Sequence, residues 1–551
     1  MTKAKRETAP VRAGQRKHWL PGAEWGVAIL LTALALFFHF TFFTHAGALW
    51  RDEINSVAFA RMPSVATAYE FLRYDSFPLL SSMVLRGWTA IGLGATDTGL
   101  RAFGLLVGFL LLGMLWLTCR LLGGSVPLVS LALVGANPWI VRSVDSIRPY
   151  GLGIALIVAT LGCVWKAVET SRPKWFVAAG LAAVMSVQCM YQNAVLLLAI
   201  CLAGVVVSLR DARGKTAIVV LGIGFVAALS LVIYLPSFAA SQSWGVLVRG
   251  FVQRTSIRDK FLQAIGLGSA ARAWPWFGLA ILTVALGGTA LFSRRKQRIA
   301  RARSQLALFC ATVLVMGVAA YFAALKSSQL QTQPWYYVPL LVLVAPALDA
   351  AAGLLPATER WKMARLTVSL AAALTIAIPG WTMVNTRWTN VDVVAANLGK
   401  QATAGDAIVL NPFWLGLTFQ RYYHGQAAWV TVPPLDDVHI VRYDLAKTAM
   451  TRPNSVDPVL ETMAKALQSG HRVWWVAGIS TGADNVPPHI LPPAPLPGTG
   501  WYLGPYLLSW GRQAAYLLET HAVNSETMEV HPGGPVMSYE DVRVTAVSGW
   551  H

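Results

Sequence analysis

The sequence predicts a polytopic α-helical membrane protein of about eleven transmembrane helices, with an extracytoplasmic α/β domain at its C-terminal end. Charged residues make up only 13% of the 551-residue chain, whereas a soluble globular protein has about 25%. Apolar runs follow one another up to about residue 384, and no later run is long enough to cross a bilayer. Short basic segments recur after every second run, a pattern typical of membrane proteins.

The chain begins with a basic tail and a first span. Residues 1–24 are polar and basic, and we expect them to be cytoplasmic. The apolar run from about Trp25 to Phe43 is too long for the core of a signal peptide and lacks a convincing cleavage site. We therefore interpret it as a retained transmembrane helix.

A long outer loop, residues 47–98, follows the first span and is acidic in places. Stretches 54–72 and 79–92 have the pattern of short amphipathic helices that lie on a membrane surface. The segment from Asp75 to Pro78 separates them, because the residue before a proline disfavours helix.

The rest of the transmembrane module, which extends over residues 25–384, contains ten further apolar runs. Two of them, near 125–141 and 193–208, are short for a span of about 20 residues. The predicted spans are 101–119, 125–141, 150–167, 175–191, 193–208, 216–236, 274–292, 306–325, 336–352 and 366–384.

The joints between the runs predict the orientation of the chain. With eleven spans, all basic joints and the basic tail fall on one side, which the positive-inside rule makes cytoplasmic. Asp52 and the region after residue 384 then lie outside the cytoplasmic (inner) membrane. The basic joints are Arg120, Lys166 to Lys174, Arg210 to Lys215, Arg294 to Arg303 and Arg360 to Arg365.

The C-terminal region, residues 385–551, is predicted to be a small periplasmic or extracellular α/β domain. Strands are expected at 406–410, 429–432 and 472–476. Helices are expected at Leu415–Tyr423 and Asp457–Gln468. This alternation favours some parallel strand pairing.

Several function classes lack support in the sequence. The formal charge of +19 could suggest nucleic-acid binding, but the basic residues sit in membrane-orienting joints, so we expect no nucleic-acid partner. The five cysteines fall in or beside apolar runs without zinc-site spacing. Phosphate-loop, dinucleotide-binding and nucleophile-elbow motifs are not found.

The adjacent carboxylates Asp52 and Glu53 are the leading catalytic candidates. Ionised carboxylates beside a bilayer are costly unless they are solvated, paired or functional. One interpretation is a solvated pair that neighbours Arg51. The other is a general base with a second carboxylate that binds substrate or a metal ion.

An ordered set of segments resembles the GT-C glycosyltransferases of the protein-mannosyltransferase and aminoarabinose-transferase type. The resemblance covers about residues 25–350 and rests on the order and sidedness of the segments. They are Trp50-Arg51-Asp52-Glu53, Asp75-Ser76-Phe77-Pro78-Leu79, Arg86-Gly87-Trp88, Leu100-Arg101-Ala102-Phe103, Asn137-Pro138, Ser146-Ile147-Arg148-Pro149-Tyr150 and Gln333-Pro334-Trp335-Tyr336-Tyr337-Val338-Pro339.

The resemblance implies a GT-C fold, an outer cavity above the membrane and a polyprenyl-phosphate sugar as donor. It places Asp52 at the reacting centre and matches Arg148 and Tyr150 to the family's Arg-x-Tyr pattern. Two segments depart from the family. Ser76-Phe77-Pro78 stands where His-Pro-Pro or Lys-Pro-Pro is common, and Tyr336-Tyr337 stands where Arg-Tyr is common.

These residues receive the following predicted roles. Asp52 is the general base, Glu53 orients the acceptor or helps bind a divalent cation, and no other cofactor is expected. Arg148 binds the donor phosphate with Tyr150, or else anchors a helix at the interface. Lys326 is a weaker phosphate candidate that could equally be a snorkelling lysine. Candidates for the substrate cavity are Asp75, Asp145, Tyr336 and Tyr337. The alternative roles are plain solvation for Asp75, helix capping for Asp145 and a place in an interfacial aromatic belt for the two tyrosines.

The predicted function is that of an inverting glycosyltransferase acting among membrane lipids. It would move a sugar from polyprenyl phosphate to a glycan such as lipopolysaccharide, to a lipid or to a protein, on the outer face of the membrane. The alternative is a transporter or flippase of lipid-linked sugars, which predicts midplane polar residues and broken helices in repeated halves. A third possibility is a receptor that uses the outer domain without catalysis.

Overall fold

The computed structural model describes residues 20–124, 126–249, 254–292, 298–356, 358–478 and 486–551. Most of the predicted basic tail, residues 1–19, lies outside these ranges. So do Arg294, Arg295 and Lys296 of the predicted basic run.

The described residues from 20 to 384 form a helical bundle with three short helices after the first long one. Short 3₁₀ turns at Leu72–Tyr74, Val232–Tyr234, Ala271–Ala273 and Pro334–Tyr337 connect some of the helices. The helices are α1 Leu20–His45, α2 Arg51–Arg61, α3 Val65–Phe71, α4 Leu80–Ala90, α5 Asp97–Gly123, α6 Leu128–Val134, α7 Pro138–Asp145, α8 Tyr150–Thr170, α9 Pro173–Cys189, α10 Asn193–Arg210, α11 Gly214–Leu229, α12 Leu235–Gly245, α13 Arg254–Gly266, α14 Trp274–Phe292, α15 Arg298–Ser328, α16 Val338–Ala352 and α17 Glu359–Val384.

The bundle confirms a polytopic α-helical membrane protein. Within the described ranges, nine helical segments are long and apolar enough to cross a membrane. Two further predicted spans correspond to shorter helical segments, and the count of eleven passes stays a prediction. One is α9, which has 17 residues, and the other is the consecutive pair α6 and α7. The doubtful run at 193–208 is a single helix of 18 residues, α10.

The run predicted as a span at 125–141 is not a single helix, because the chain breaks between α6 and α7. Proline at position 138 has no backbone N–H to continue a helix. The Asn137 side chain instead caps α7, accepting hydrogen bonds from the backbone N–H groups of Trp139 at 3.0 Å and Ile140 at 3.3 Å. Its amide nitrogen donates to the Ala264 carbonyl at 2.8 Å, which fixes the break inside the bundle.

The basic joints gather at one end of the bundle. Arg120, Lys166 and Arg303 line the same cavity there. Arg365, also at that end, donates to Asp349 at 2.7 Å and lies 3.3 Å from Glu24. The common sidedness predicted from the sequence is therefore present, whereas the side of the membrane that this end faces stays a prediction.

A mixed sheet with helices on both faces forms the C-terminal region. Its strands are β1 Arg387–Thr389, β2 Ala407–Asn411, β3 Ala428–Thr431, β4 Arg472–Ala477, β5 Asn524–Met528, β6 Val536–Glu540 and β7 Arg543–Ser548. Its helices are α18 Val391–Gln401, α19 Leu415–Tyr422, α20 Tyr443–Met450, α21 Asp457–Gln468 and α22 Gly504–His521.

The five-stranded sheet has the order β3-β2-β4-β7-β5, and β1 pairs with β6 separately. The pairs β2–β3 and β2–β4 are parallel, as predicted, whereas β7 runs antiparallel to β4 and β5. Alternate side chains of the central strands point to opposite faces. Val409 and Trp475 pack toward α21 and α22, and Ile408 and Trp474 pack toward α18 and α19.

The C-terminal domain is held directly against the first outer loop. The Tyr422 hydroxyl accepts a hydrogen bond from the Leu49 backbone N–H at 2.8 Å and donates to Asp97 at 2.5 Å. Arg421 also pairs with Asp97, at 2.5 Å. The Asn55 side chain in α2 accepts from the Val441 backbone N–H at 3.0 Å. These contacts fix the position of α2, the helix that carries Asp52.

Candidate active site

Asp52 lies in the first turn of α2, at the end of the bundle away from the basic joints. A carboxylate is stabilised in this position because the N-terminal end of a helix carries a partial positive charge. The Asp52 side chain is 24% exposed. It is therefore open to a reactant, although it belongs to a well-packed element.

Glu53 faces away from this opening. It is 0% exposed and pairs with Arg101, which is 4% exposed, at 2.5 Å. The same carboxylate accepts from the backbone N–H groups of Ile147 at 3.2 Å and Trp50 at 3.4 Å. With its oxygens engaged and no exposed surface, Glu53 is not placed to touch a substrate or a metal ion. We therefore reassign it as a positioning residue that ties α2 to α5 and to the loop before α8.

Arg148 faces Asp52 from that loop. Its Nη2 lies 3.6 Å from the Asp52 carboxylate, and its Nη1 donates to the Asp52 carbonyl at 3.0 Å. Burial lowers the pKa of Arg148, but the negative charges of Asp52 and Asp75 more than offset this, so its pKa is raised. The guanidinium therefore stays charged beside the proposed base.

Asp75 and Phe77 complete the surroundings of Arg148. Burial raises the pKa of Asp75, and the charge of Arg148 only partly opposes that rise. The Phe77 ring lies 4.9 Å beneath the Arg148 guanidinium and 5.4 Å from the Tyr150 ring. Phe77 therefore supports the arginine through a cation–π contact.

Two predicted tyrosines belong to this cluster. Tyr150, at the start of α8, and Tyr336, just before α16, both act electrostatically on Arg148. Tyr150 is buried against Phe77, whereas Tyr336 is half-buried. The structure thus brings together five of the predicted site residues, namely Asp52, Asp75, Arg148, Tyr150 and Tyr336.

The C-terminal domain adds groups that the sequence did not single out. Tyr443, the first residue of α20, interacts electrostatically with Arg51, Asp52 and Arg148. Burial raises the pKa of its hydroxyl. Trp414 lies under the Arg51 guanidinium at 5.0 Å. No local motif marks these aromatics, because only the docking of the domain places them beside Asp52.

A narrow slot lies behind Arg148, between α2, α4, α5 and α8. Its volume of about 10 Å³ is close to that of one water molecule. Four serines line it together with Arg148, and they are Ser56, Ser81, Ser82 and Ser146. Nε of Arg148 is buried and donates to no atom of the described chain. The arginine therefore keeps one hydrogen-bond donor uncommitted.

Three predicted site residues lie elsewhere. Asp145 pairs with His39 at 2.8 Å inside the bundle. Tyr337 is fully buried, and its hydroxyl contacts Thr332 at 2.9 Å and donates to the Ile257 carbonyl at 3.1 Å. Lys326 is exposed near the end of α15 and takes no part in the ion pairs of Asp52 or Arg148. Their sequence neighbourhoods did not reveal that these side chains point into the bundle core or into solvent.

The residues present do not fit a divalent cation. Across the part of the chain that the structure describes, no group of three or more His, Cys, Asp or Glu side chains is arranged to hold a metal ion. Glu53 is committed to Arg101. Asp52 and Asp75 both interact with the positive charge of Arg148, which disfavours a second cation between them.

No protein-family model matches the chain, and no curated protein sequence matches it either. Solved structures show a distant likeness. The ArnT structure from Cupriavidus metallidurans bound to undecaprenyl phosphate is 15% identical, with 82% of this chain and 93% of that chain covered and a TM-score of 0.47. An oligosaccharyltransferase from Archaeoglobus fulgidus in complex with Zn and sulfate is 11% identical, with 82% and 67% covered and a TM-score of 0.48.

A further likeness is to the archaeal oligosaccharyltransferase AglB from Archaeoglobus fulgidus in complex with an inhibitory peptide and a dolichol-phosphate. It is 11% identical, with 83% of this chain and 70% of that chain covered and a TM-score of 0.46. These identities and TM-scores are too low to assign an activity. The residues around Asp52 and Arg148 therefore carry the functional proposal.

Proposed function

We propose that this protein is an inverting glycosyltransferase that moves a sugar from a polyprenyl-phosphate donor to a glycan, lipid or protein acceptor on the outer face of the cytoplasmic membrane. One observation carries the proposal. A partly exposed carboxylate, Asp52, lies 3.6 Å from a charged guanidinium, Arg148, at the end of a membrane bundle away from its basic joints. Four of the GT-C-like segments, those that contain Asp52, Asp75, Arg148 and Tyr336, contribute to this cluster.

Asp52 acts as the general base in this mechanism. The acceptor hydroxyl oxygen attacks the anomeric carbon of the donor sugar and gives its proton to the Asp52 carboxylate. The bond between the anomeric carbon and the phosphate oxygen breaks, and its electron pair leaves with the phosphate. Attack on the face opposite the leaving group inverts the anomeric centre without a glycosyl-enzyme intermediate.

Arg148 stabilises the departing phosphate. A guanidinium presents several N–H donors in a planar fork that matches phosphate oxygens. Its raised pKa, which keeps the guanidinium charged, suits this role. The hydroxyl groups of Tyr150 and Tyr336 lie in the same cluster and would supply further hydrogen bonds to the donor.

The surroundings of the site suit a lipid-linked donor. Helices α3 and α4 of the outer loop carry exposed apolar side chains, including Val65 at 52% and Val84 at 39%. The turn after α4 exposes Ile91 and Leu93 as well. Apolar side chains exposed on short surface helices favour a position at the membrane interface, where a polyprenyl tail would lie.

Sugar transfer by the purified full-length protein tests this proposal. The protein is reconstituted in lipid vesicles with a panel of radiolabelled polyprenyl-phosphate sugars, as wild type, Asp52→Asn and Asp259→Asn. Loss of the base should lower transfer by about 10²- to 10⁴-fold. Asp259 is exposed on α13 and pairs with its neighbour Arg258, so the Asp259→Asn variant controls for the loss of one carboxylate.

Each result has a clear reading. Transfer that is lost in Asp52→Asn and kept in Asp259→Asn supports the enzyme. Unchanged transfer by Asp52→Asn removes Asp52 from the role of base. A flippase is supported instead if the labelled lipid moves across the membrane without sugar transfer and this movement persists in Asp52→Asn.

A further inference from the structure

A second cavity lies at the opposite end of the bundle from Asp52, among the ends of α5, α8, α15 and α16. Its volume is about 470 Å³, within the range of pockets that hold small ligands. It belongs to the end where the basic joints gather, and none of its lining residues belongs to the candidate active site.

The lining of this cavity is positively charged. Arg120, Lys166 and Arg303 contribute three cations, and Glu169 contributes one carboxylate. The Glu169 carboxylate is taken by Lys166, at 2.5 Å. Two guanidinium groups are therefore left without a carboxylate inside the cavity, which favours an anionic ligand.

Both guanidinium groups are held in place by contacts that leave their charge uncompensated. Arg120 lies 4.6 Å from the Trp25 ring. Arg303 donates through Nη2 to the carbonyls of Leu354 at 3.2 Å and Leu355 at 3.5 Å, which orients it at the end of α16. Carbonyls and aromatic rings position a cation without neutralising it, so the cavity keeps its attraction for an anion.

The apolar part of the lining distinguishes a lipid from a soluble anion. Leu121, Leu122 and Leu306 are buried side chains that form one wall. They belong to α5 and α15, which are long enough to cross a membrane. A cavity at the ends of such helices lies at the level of lipid headgroups, where cations meet phosphate and leucines meet the first acyl carbons.

We propose that this cavity binds the phosphate headgroup of an anionic phospholipid. The two arginines contact the phosphodiester, and the leucine wall contacts the start of an acyl chain. A free phosphate ion shares the charge of this ligand but not its apolar part. The site is separate from the proposed sugar transfer, and its test does not depend on that activity.

Binding of phosphatidylglycerol to the purified, delipidated full-length protein tests the proposal. Native mass spectrometry and lipid-dependent shifts in melting temperature are recorded with phosphatidylglycerol, phosphatidylcholine and inorganic phosphate. Each basic residue near an anionic lipid contributes about 1 kcal/mol, so the Arg120→Gln/Arg303→Gln double variant should bind phosphatidylglycerol about thirty-fold more weakly. The matched control is Arg172→Gln/Arg360→Gln, which removes two exposed charges outside the cavity.

A second variant keeps the test decisive if the double variant folds poorly. Ala302, on α15, lines the cavity and is exposed. Ala302→Trp should fill the space and block phosphatidylglycerol without any change of charge. The proposal would be overturned if the cavity variants and the control variant lost phosphatidylglycerol binding equally, or if the cavity variants bound it as wild type does. It would also be overturned if inorganic phosphate bound as tightly as phosphatidylglycerol.

Discussion

At the scale of single residues, the two neighbouring acids that opened the catalytic argument have different surroundings. Asp52 is partly exposed, and Glu53 is enclosed by Arg101 and two backbone N–H groups. Consecutive helical residues point about 100° apart, so one can face a reactant while the other faces the core. The sequence singled out the pair but could not distinguish the surroundings of the two acids, because these depend on Arg101 and Ile147.

Arg148 provides the residue-scale prediction. Arg148→Lys keeps a positive charge but loses the planar fork, and Arg148→Ala loses both. We expect kcat/KM for the polyprenyl-phosphate donor to fall about 10²- to 10³-fold in Arg148→Ala, because a stabiliser of the leaving group is removed. The lysine variant should retain part of this activity.

Steady-state kinetics with varied donor and fixed acceptor measures this effect. Arg258→Ala, which removes an exposed arginine on α13, is the control and should behave as wild type. Wild-type kcat and KM in Arg148→Ala would show that the arginine only anchors the start of α8.

At the scale of elements, α2 depends on a buried ion pair. Glu53→Gln would leave the Arg101 guanidinium, which is 4% exposed, without its carboxylate. Breaking a buried pair on one side typically costs about 3 to 5 kcal/mol. We expect a lower melting temperature and, in the molecules that stay folded, a lower kcat because Asp52 is displaced.

The double variant Glu53→Gln/Arg101→Gln separates positioning from chemistry. It removes the uncompensated charge, so part of the stability lost in Glu53→Gln should return. Thermal unfolding followed by tryptophan fluorescence gives the stability of each variant, and transfer assays give kcat. If Glu53→Gln melted like wild type yet transferred no sugar, Glu53 would regain a direct role in the reaction.

Periodicity predicted most elements, and tertiary contacts explain the exceptions. The apolar runs and β2, β3, β4, α19 and α21 were visible because their patterns are long and regular. The break between α6 and α7 depends on Asn137. Its side chain caps α7 by accepting from the Trp139 backbone N–H, and it also donates to the Ala264 carbonyl, a contact that the sequence does not reveal. β5 was not predicted, since its sequence Asn-Ser-Glu-Thr-Met is mostly polar and exposed and becomes a strand by pairing with β7.

At the scale of the whole molecule, the C-terminal domain and the bundle share the candidate site. Tyr443 and Trp414 reach it only because Tyr422, Arg421 and Val441 hold the domain against the outer loop. Sequence patterns within either part could not reveal this arrangement, as the partners are more than 300 residues apart in the chain. The proposed site is therefore complete only when the C-terminal domain is docked on the bundle.

Glu540 lies at the centre of this docking and provides the whole-molecule prediction. It is fully buried, and its carboxylate accepts hydrogen bonds from the Arg51 backbone N–H at 3.2 Å and from the Thr418 hydroxyl at 3.1 Å. Burial raises its pKa from 4.5 to about 7, although Arg51 opposes the rise. The folded state thus binds the proton more tightly than the unfolded state does.

The sign of the pH effect follows from that raised pKa. The contribution of Glu540 to stability is fully present below pH about 4.5 and is lost as the pH rises through about 7. The loss amounts to about 3 kcal/mol, because each pKa unit corresponds to about 1.4 kcal/mol. The melting temperature of the full-length wild-type protein should therefore be lower at pH 8 than at pH 5. The decrease should be smaller in Glu540→Gln, because the glutamine stays neutral and keeps a hydrogen-bond acceptor for the Arg51 backbone N–H. Equal decreases in the two proteins would mean that Glu540 is ionised throughout this range and that the docked interface tolerates a buried carboxylate.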